Sequence, residues 1–351
     1  MSKDVEYRSE EVFYFNTHRP RDLVLKLQDR YTGFDKSIIA DLVETSLSDV
    51  KVVGKVRSDN NFGTGHLIFY VPTDRGNLVV RVNRFLKEPE HYMVLEEMFI
   101  RMFNSVGVPT NTIVFSDDSR KRYDFDYQIM KLLPGKDLET DWDGTKEEYD
   151  RLSYQLGAFV ALEHKLEVGG WGRFVRSKGL SGQFDTPQQY LKTYLDYDLT
   201  VMLEGGVINE DLKKKIEDYF DREYIVLENV KPCLVHHDIA DHNIRYEGER
   251  VVALFDWENA VAYDPVSDLA SAHTWVCHFP RREKMTEGYL DKLGYKPDNF
   301  EERLALHFLR TMIWKASFAI KGGRFVERHR KLLADALFEA RLIESADDFV
   351  V

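Results

Sequence analysis

The stretch Pro232-Cys233-Leu234-Val235-His236-His237-Asp238-Ile239-Ala240-Asp241-His242-Asn243-Ile244-Arg245-Tyr246 decides the fold. His236, Asp238 and Asn243 give the spacing H-x-D-x-x-x-x-N, with apolar residues before and after it. Glu247-Gly248-Glu249-Arg250 reads as a hairpin turn, and residues 251–255 form a second strand that delivers Asp256 and then Trp257. An aspartate on such a loop accepts the proton of a hydroxyl. An asparagine five residues on, with an aspartate at the end of the following hairpin, offers hard oxygen ligands to Mg²⁺. Phosphoryl transfer asks for little more than charge neutralisation and in-line positioning. Asp238 is therefore the candidate catalytic residue, Asn243 and Asp256 are the candidate metal ligands, and His236 is a structural support of the loop.

The same residues admit another reading. His236, His237, Asp238 and His242 resemble the His/Asp ligand cluster of a metallohydrolase, with His164, His273 and His278 as further candidate ligands. That reading leaves the first 135 residues without a purpose.

Upstream of the island, β-branched and aromatic runs predict strands at residues 52–56, 65–71, 77–82, 112–115 and 127–132. Residues 88–104 read as an amphipathic helix carrying Met93, Glu96, Phe99, Ile100 and Phe103 on one side. Arg81 is the one charge in an apolar strand, where a cation is costly unless it reaches a partner or a phosphate. Glu96 on the buried helix face is the expected partner; an edge strand facing water is the alternative. Residues 58–65 form a loop able to cover phosphates, although without G-x-G-x-x-G, and read equally as a plain hairpin turn. Ile129, Met130 and Leu132 lie on the last strand before Pro134-Gly135 and are candidates to sandwich adenine, or simply core. Helices are expected at residues 146–166, 188–203, 211–229, 301–320 and 329–340. The fold class is thus α+β with two lobes: a small antiparallel sheet with one helix, then a larger helical lobe with an embedded catalytic hairpin. Residues 1–45 read as an N-terminal helical extension, 46–134 as a nucleotide-binding lobe and 135–351 as the catalytic and substrate-binding lobe.

Composition fits this reading. The chain has 351 residues with 48 basic against 60 acidic side chains, a net charge of −12. No basic stripe is present to release the counterions of a nucleic acid. No apolar run approaches the roughly 18 residues of a membrane span, and the charged N-terminus lacks a signal peptide's apolar segment. Two cysteines support neither a disulfide framework nor a thiolate zinc site. A cytoplasmic protein with a small-molecule partner is expected, no nucleic acid or membrane, and an open oligomeric state.

The line from Leu234 through Asn243, then Ala253-Leu254-Phe255-Asp256-Trp257-Glu258, Asp264-Pro265 and Asp268-Leu269-Ala270, resembles the aminoglycoside phosphotransferase and choline-kinase-like family over residues 52–337. The resemblance implies a protein-kinase-like fold, ATP or GTP with Mg²⁺, and an alcohol acceptor. It also implies that Arg81 takes the place of the strand lysine and that Asp268 fixes the catalytic loop from below; a helix N-terminal charge is the other reading of Asp268. Gly169-Gly170-Trp171-Gly172-Arg173-Phe174, Ala272-His273-Thr274-Trp275 and Lys321-Gly322-Gly323-Arg324-Phe325 are laid out as in the hygromycin-type enzymes. The sequence departs from them at Trp314-Lys315, where polar or acidic residues facing an aminoglycoside are expected. Candidate acceptor contacts are Asp241, Glu258, Trp275 and His278, with Asp196 and Asp198 from an earlier helix; carboxylates beside an aromatic face would suit an ammonium-bearing acceptor. An aminoglycoside with antibiotic resistance as the outcome, a choline-like amine, a sugar, methylthioribose and a non-catalytic pseudokinase all remain open.

Overall fold

A computed structural model describes residues 18–59, 65–86, 93–346 and 349. Pro20 opens helix α1 (Arg21–Gln28), and α2 (Ile38–Ser46) follows. Strands β1 (Arg57–Asp59), β2 (Leu67–Thr73) and β3 (Gly76–Asn83), helix α3 (Met93–Ser105), and strands β4 (Ile113–Asp117) and β5 (Asp126–Lys131) complete the first lobe. The five strands form one antiparallel sheet in the order β1-β2-β3-β5-β4. Strand alternation sends Leu67, Phe69, Leu78, Val80 and Val82 to one face, where they pack on Ile39, Leu42 and Val43 of α2. Helix α2 therefore supplies part of this lobe's core. Arg81 points to the other face, from a central strand, and is 6% exposed. That placement removes the edge-strand alternative.

The strand expected at residues 52–56 shrinks to one bridge, Val52 with Thr73. Gly54 weakens that stretch, and ladder pairing with β2 begins only at Arg57. Of the phosphate-covering loop, residues 60–64 lie outside the described residues, as do residues 87–92 before α3.

Gly135 begins the second lobe at φ +80°; a Cβ there would meet the Tyr246 carbonyl oxygen at 2.6 Å, so this connector accepts only glycine. The lobe contains β6 (Lys136–Asp137), α4 (Lys146–Glu163), β7 (Trp171–Phe174), β8 (Gly182–Phe184), α5 (Pro187–Lys192), α6 (Leu195–Glu204) and α7 (Glu210–Glu223). It continues through β9 (Cys233–Val235), β10 (Ile244–Glu247), β11 (Arg250–Leu254), β12 (Val261–Tyr263), α8 (Val266–Ala272), α9 (Arg282–Leu293), α10 (Phe300–Lys321) and α11 (Glu327–Glu339). The single helix expected at residues 188–203 divides into α5 and α6 because Tyr194 adopts φ +57°. Helices α4 and α9 touch backbone to backbone at Gly157 and Gly288, where an added Cβ would fall 1.9 and 2.0 Å from the facing carbonyl oxygens.

Two small sheets hold the segment from Cys233 to Trp257. β9 pairs with β12 in the sheet β8-β7-β12-β9, and β10 pairs with β11 and β6 in the sheet β11-β10-β6. The loop between β9 and β10 is thereby pinned at both ends. Among the described residues no helix is long and apolar enough to cross a membrane.

Candidate active site

The loop is set from beneath by one carboxylate. Asp268, fully buried on α8, accepts the backbone N–H of His236 at 2.9 Å and that of His237 at 2.8 Å. Burial pushes the Asp268 carboxyl up to about 7, while those N–H groups favour its ionised form. Glu163, at the end of α4, hydrogen-bonds Asp268 and is held well above the carboxylate range by burial, so it is the partner that keeps a proton. His236 is buried, which lowers its imidazole to about 3 and keeps it neutral. Its Nδ1 accepts the Asp238 N–H at 3.2 Å, so Nε2 carries the hydrogen and donates to the Phe255 carbonyl at 3.1 Å. Both ring nitrogens are thus spent on backbone, and the His/Asp metal cluster of the hydrolase reading does not assemble. Among the described residues no group of three His, Cys, Asp or Glu side chains is arranged to hold a metal ion.

Asp238 is 8% exposed, and burial pushes its carboxyl up. Its Oδ2 accepts from Asn259 Nδ2 at 3.2 Å, while Oδ1 has no hydrogen-bond partner among the described residues. Asn259 is itself oriented by Arg173, whose guanidinium donates to Asn259 Oδ1 at 2.9 Å and to the Glu258 carbonyl at 2.7 Å. Neither Asn259 nor Glu163 was foreseen. Glu163 did leave a signal, since it continues the apolar stripe Leu152, Leu156, Val160 of α4. Asn259 left none.

Asn243 Nδ2 donates to the Asp238 carbonyl at 3.0 Å, which turns Oδ1 away from any described partner. The Phe255 N–H donates to the Asn243 carbonyl at 3.1 Å, holding the next residue, Asp256, beside it. Asp256 sits at φ +66° and His237 at φ +65°, a left-handed backbone that non-glycine residues adopt at a cost. Trp257, fully buried between Phe103 of α3 and His236, anchors the turn that forces Asp256 outward. An amide oxygen and a carboxylate, with room for water and phosphate oxygens, form the donor set that suits Mg²⁺ and not zinc.

Opposite them stands Arg81. It binds Glu96 through Nη1 at 2.7 and 2.8 Å, and Nη2 reaches Glu258 at 2.6 Å and Asp256 at 3.4 Å. Nη2 also donates to His66 Nδ1 at 3.0 Å. Burial alone would weaken this cation, but Glu96, Asp256 and Glu258 outweigh it and keep the guanidinium charged. Burial and the neighbouring Glu258 push the Asp256 carboxyl well above its ordinary range.

The other predicted contacts divide. Met130 pairs with Val79 and shares the Arg81 face of the sheet, whereas Ile129 is fully buried on the α2 face. Strand alternation separates the two, so Ile129 is core and cannot touch adenine in the cleft. Leu132 is 42% exposed just past β5. Glu258 lies on the Arg81 side of the cleft instead of the acceptor side. Asp241 is 1% exposed, accepts the Tyr149 hydroxyl at 3.0 Å and is ion-paired with Arg281; an acceptor cannot reach it. His278 Nε2 donates to the carbonyls of Leu138 and Glu139, fastening two loops. Asp198 is buried between His18 and Arg310, and Asp196 pairs with Lys213. Of the named acceptor contacts, Trp275 alone lines the pocket beside the catalytic loop.

Comparison with known proteins agrees with this architecture. A model of the phosphotransferase enzyme family matches residues 60–306, more than half of the chain. Aminoglycoside phosphotransferase APH(4)-Ia superposes with a TM-score of 0.60 at 16% identity, over 88% of this chain and 98% of that one. Macrolide 2'-phosphotransferase MphH from Brachybacterium faecium gives 0.55 at 19% identity, over 86% and 98%. ADP-bound APH(2'')-Ib gives 0.55 at 16% identity, over 91% and 100%. No curated protein matches by sequence. The kinase-like α+β fold is common to all of them.

Proposed function

The chain belongs to the phosphotransferase enzyme family, and from that premise we propose that it moves the γ-phosphoryl group of ATP to a hydroxyl of a small-molecule acceptor. The observation that carries this reading is Asp238 Oδ1. It is a buried carboxylate oxygen with no described partner, on a loop in which Asp268 holds the His236 N–H, His236 the Asp238 N–H and Asn259 the other carboxylate oxygen. An acceptor hydroxyl donates its hydrogen bond to that oxygen. Its proton passes to Asp238 as the new O–P bond forms, and the bond from Pγ to the bridging oxygen breaks with its electron pair leaving on ADP.

Asn243 Oδ1 and Asp256 are the residues that would hold Mg²⁺, which when bound neutralises phosphate charge. Arg81, steered by Glu96, contacts a phosphate oxygen, and Met130 and Leu132 face the base. Residues 46–134, joined by α2, form the nucleotide lobe, and residues 135–351 the acceptor lobe. Solved relatives support nucleotide use: APH(4)-Ia forms a ternary complex with AMP-PNP and hygromycin B, and APH(2'')-Ib binds ADP.

The test is ADP release over a panel of hydroxyl acceptors with ATP and GTP, on wild type and Asp238→Asn. Acceptor-dependent release that falls about 10²–10⁴-fold in the variant, with nucleotide affinity kept, is the expected result. Release insensitive to Asp238 would remove it from this role.

A further inference from the structure

The pocket beside the catalytic loop carries the wrong charge for a polyamine. It opens between α5, α8 and α10, reaches the loop at His237, and encloses about 640 Å³ counting its open mouth. Tyr190, Tyr263, Trp275 and Trp314 give it flat walls. No aspartate or glutamate is among its described lining residues; its Arg and Lys side chains are Arg310 and Lys315.

Arg310 is neutralised. Its Nη1 lies 3.2 Å from Asp198, and its Nε and Nη2 donate to the carbonyls of Leu191 and Thr193. Lys315 is different. It is 8% exposed, its Nζ lies 3.3 Å from the centre of the Trp275 ring, and among the described residues no carboxylate stands within ion-pair distance. Burial depresses its ammonium well below the lysine range, against the pull of Asp238, which is near enough for each to shift the other. Two further donors of the lining, the Trp275 indole N–H and the Ser267 hydroxyl, have no described acceptor. A buried cation without a counter-ion is costly, and so is a buried donor without an acceptor. A ligand that brings an oxyanion satisfies both, whereas a second ammonium would be repelled.

We propose that the acceptor carries an anionic group, a carboxylate or a phosphate, on a flat apolar body, and that Lys315 receives that group. The placement of the acceptor's hydroxyl at Asp238 rests on the phosphoryl-transfer reading above; the pocket's preference for an anion does not. This sets an anionic acceptor against the ammonium-bearing one that the sequence left open, and it accounts for the departure at Trp314-Lys315.

Isothermal titration of the full chain separates the two ideas, because it needs no turnover. The probes are 4-(hydroxymethyl)benzoate, 4-(hydroxymethyl)phenyl phosphate, the neutral methyl ester of the first, and 4-(hydroxymethyl)benzylamine. At least one acid should bind about tenfold or more tighter than the ester, and the amine weakest. The carboxylate and phosphate arms identify the anion. Lys315→Met should bring acid and ester to near parity, and Lys315→Arg should keep the preference. The Met variant removes a buried unpaired charge, so its thermal midpoint should equal or exceed that of wild type. Acid preference without any phosphoryl transfer would sink the proposed reaction and leave this inference standing. Transfer to hygromycin B or kanamycin with no acid preference would do the reverse. Equal binding of acid and ester, or no binding by any of the four, overturns the inference.

Discussion

Asp241 distinguishes a structural carboxylate from a substrate-binding one. It lies 1% exposed against Arg281, which is fully buried, and Tyr149 donates its hydroxyl to the same carboxylate. Asp241→Ala strands the Arg281 guanidinium with only the Tyr149 hydroxyl and a long contact to the Ile239 carbonyl at 3.4 Å. Removing one partner of such a buried pair costs about 3–5 kcal/mol. At about 2.1 cal/mol/K of unfolding entropy per residue, a cooperative chain of this length loses roughly 4–7 °C of midpoint. Asp241→Leu combined with Arg281→Met removes both charges and should recover most of the loss. The assay is thermal unfolding followed by circular dichroism, with acceptor KM measured on the same preparations. A midpoint within about 1 °C of wild type, coupled to a raised acceptor KM, would refute the reasoning and return Asp241 to the acceptor site.

Two other substitutions probe the machinery. Arg173→Ala frees the Asn259 amide that Arg173 now orients at 2.9 Å, so kcat should fall about tenfold with nucleotide KM unchanged. Arg173→Lys should not rescue it, since one ammonium cannot replace the planar fork that spans Asn259 and the Glu258 carbonyl; full rescue would contradict the assignment. Asp264 governs acid stability: burial works to raise its carboxyl, yet hydrogen bonds from His307 and Arg303 outweigh that and hold it well below its ordinary value of 3.8. A depressed folded value means stability present above 3.8 and lost as pH falls below it. Urea unfolding between pH 7 and 3 should show that loss, and Asp264→Asn, though less stable at pH 7, should flatten it; an unchanged acid slope would contradict the assignment.

The grouping of the island's residues was legible because its parts are local. Asp238, Asn243 and Asp256 are joined by a single hairpin, so spacing alone brings them together. Arg81 and Glu96 were legible for another reason: each is a charge on an otherwise apolar face, and such charges find one another. What failed was long-range. Asp241 reads as an exposed loop acid until Tyr149, 92 residues upstream, closes over it. Glu258 reads as an acceptor contact until the β3 strand delivers Arg81, 177 residues away, to its carboxylate. Ile129 beside Met130 failed by strand alternation, which was available in the sequence. The net charge of −12 says little about the pocket, because acids near it are engaged internally, Asp198 with Arg310 and Asp196 with Lys213.

The most direct test of the account is ³¹P NMR of the products formed from Mg·ATP and the preferred acceptor. Wild type should yield a new phosphomonoester resonance in step with ADP, and Asp238→Asn should yield none on the same time scale while still binding ATP. Inorganic phosphate in place of the monoester, or a monoester formed equally by the variant, would contradict it.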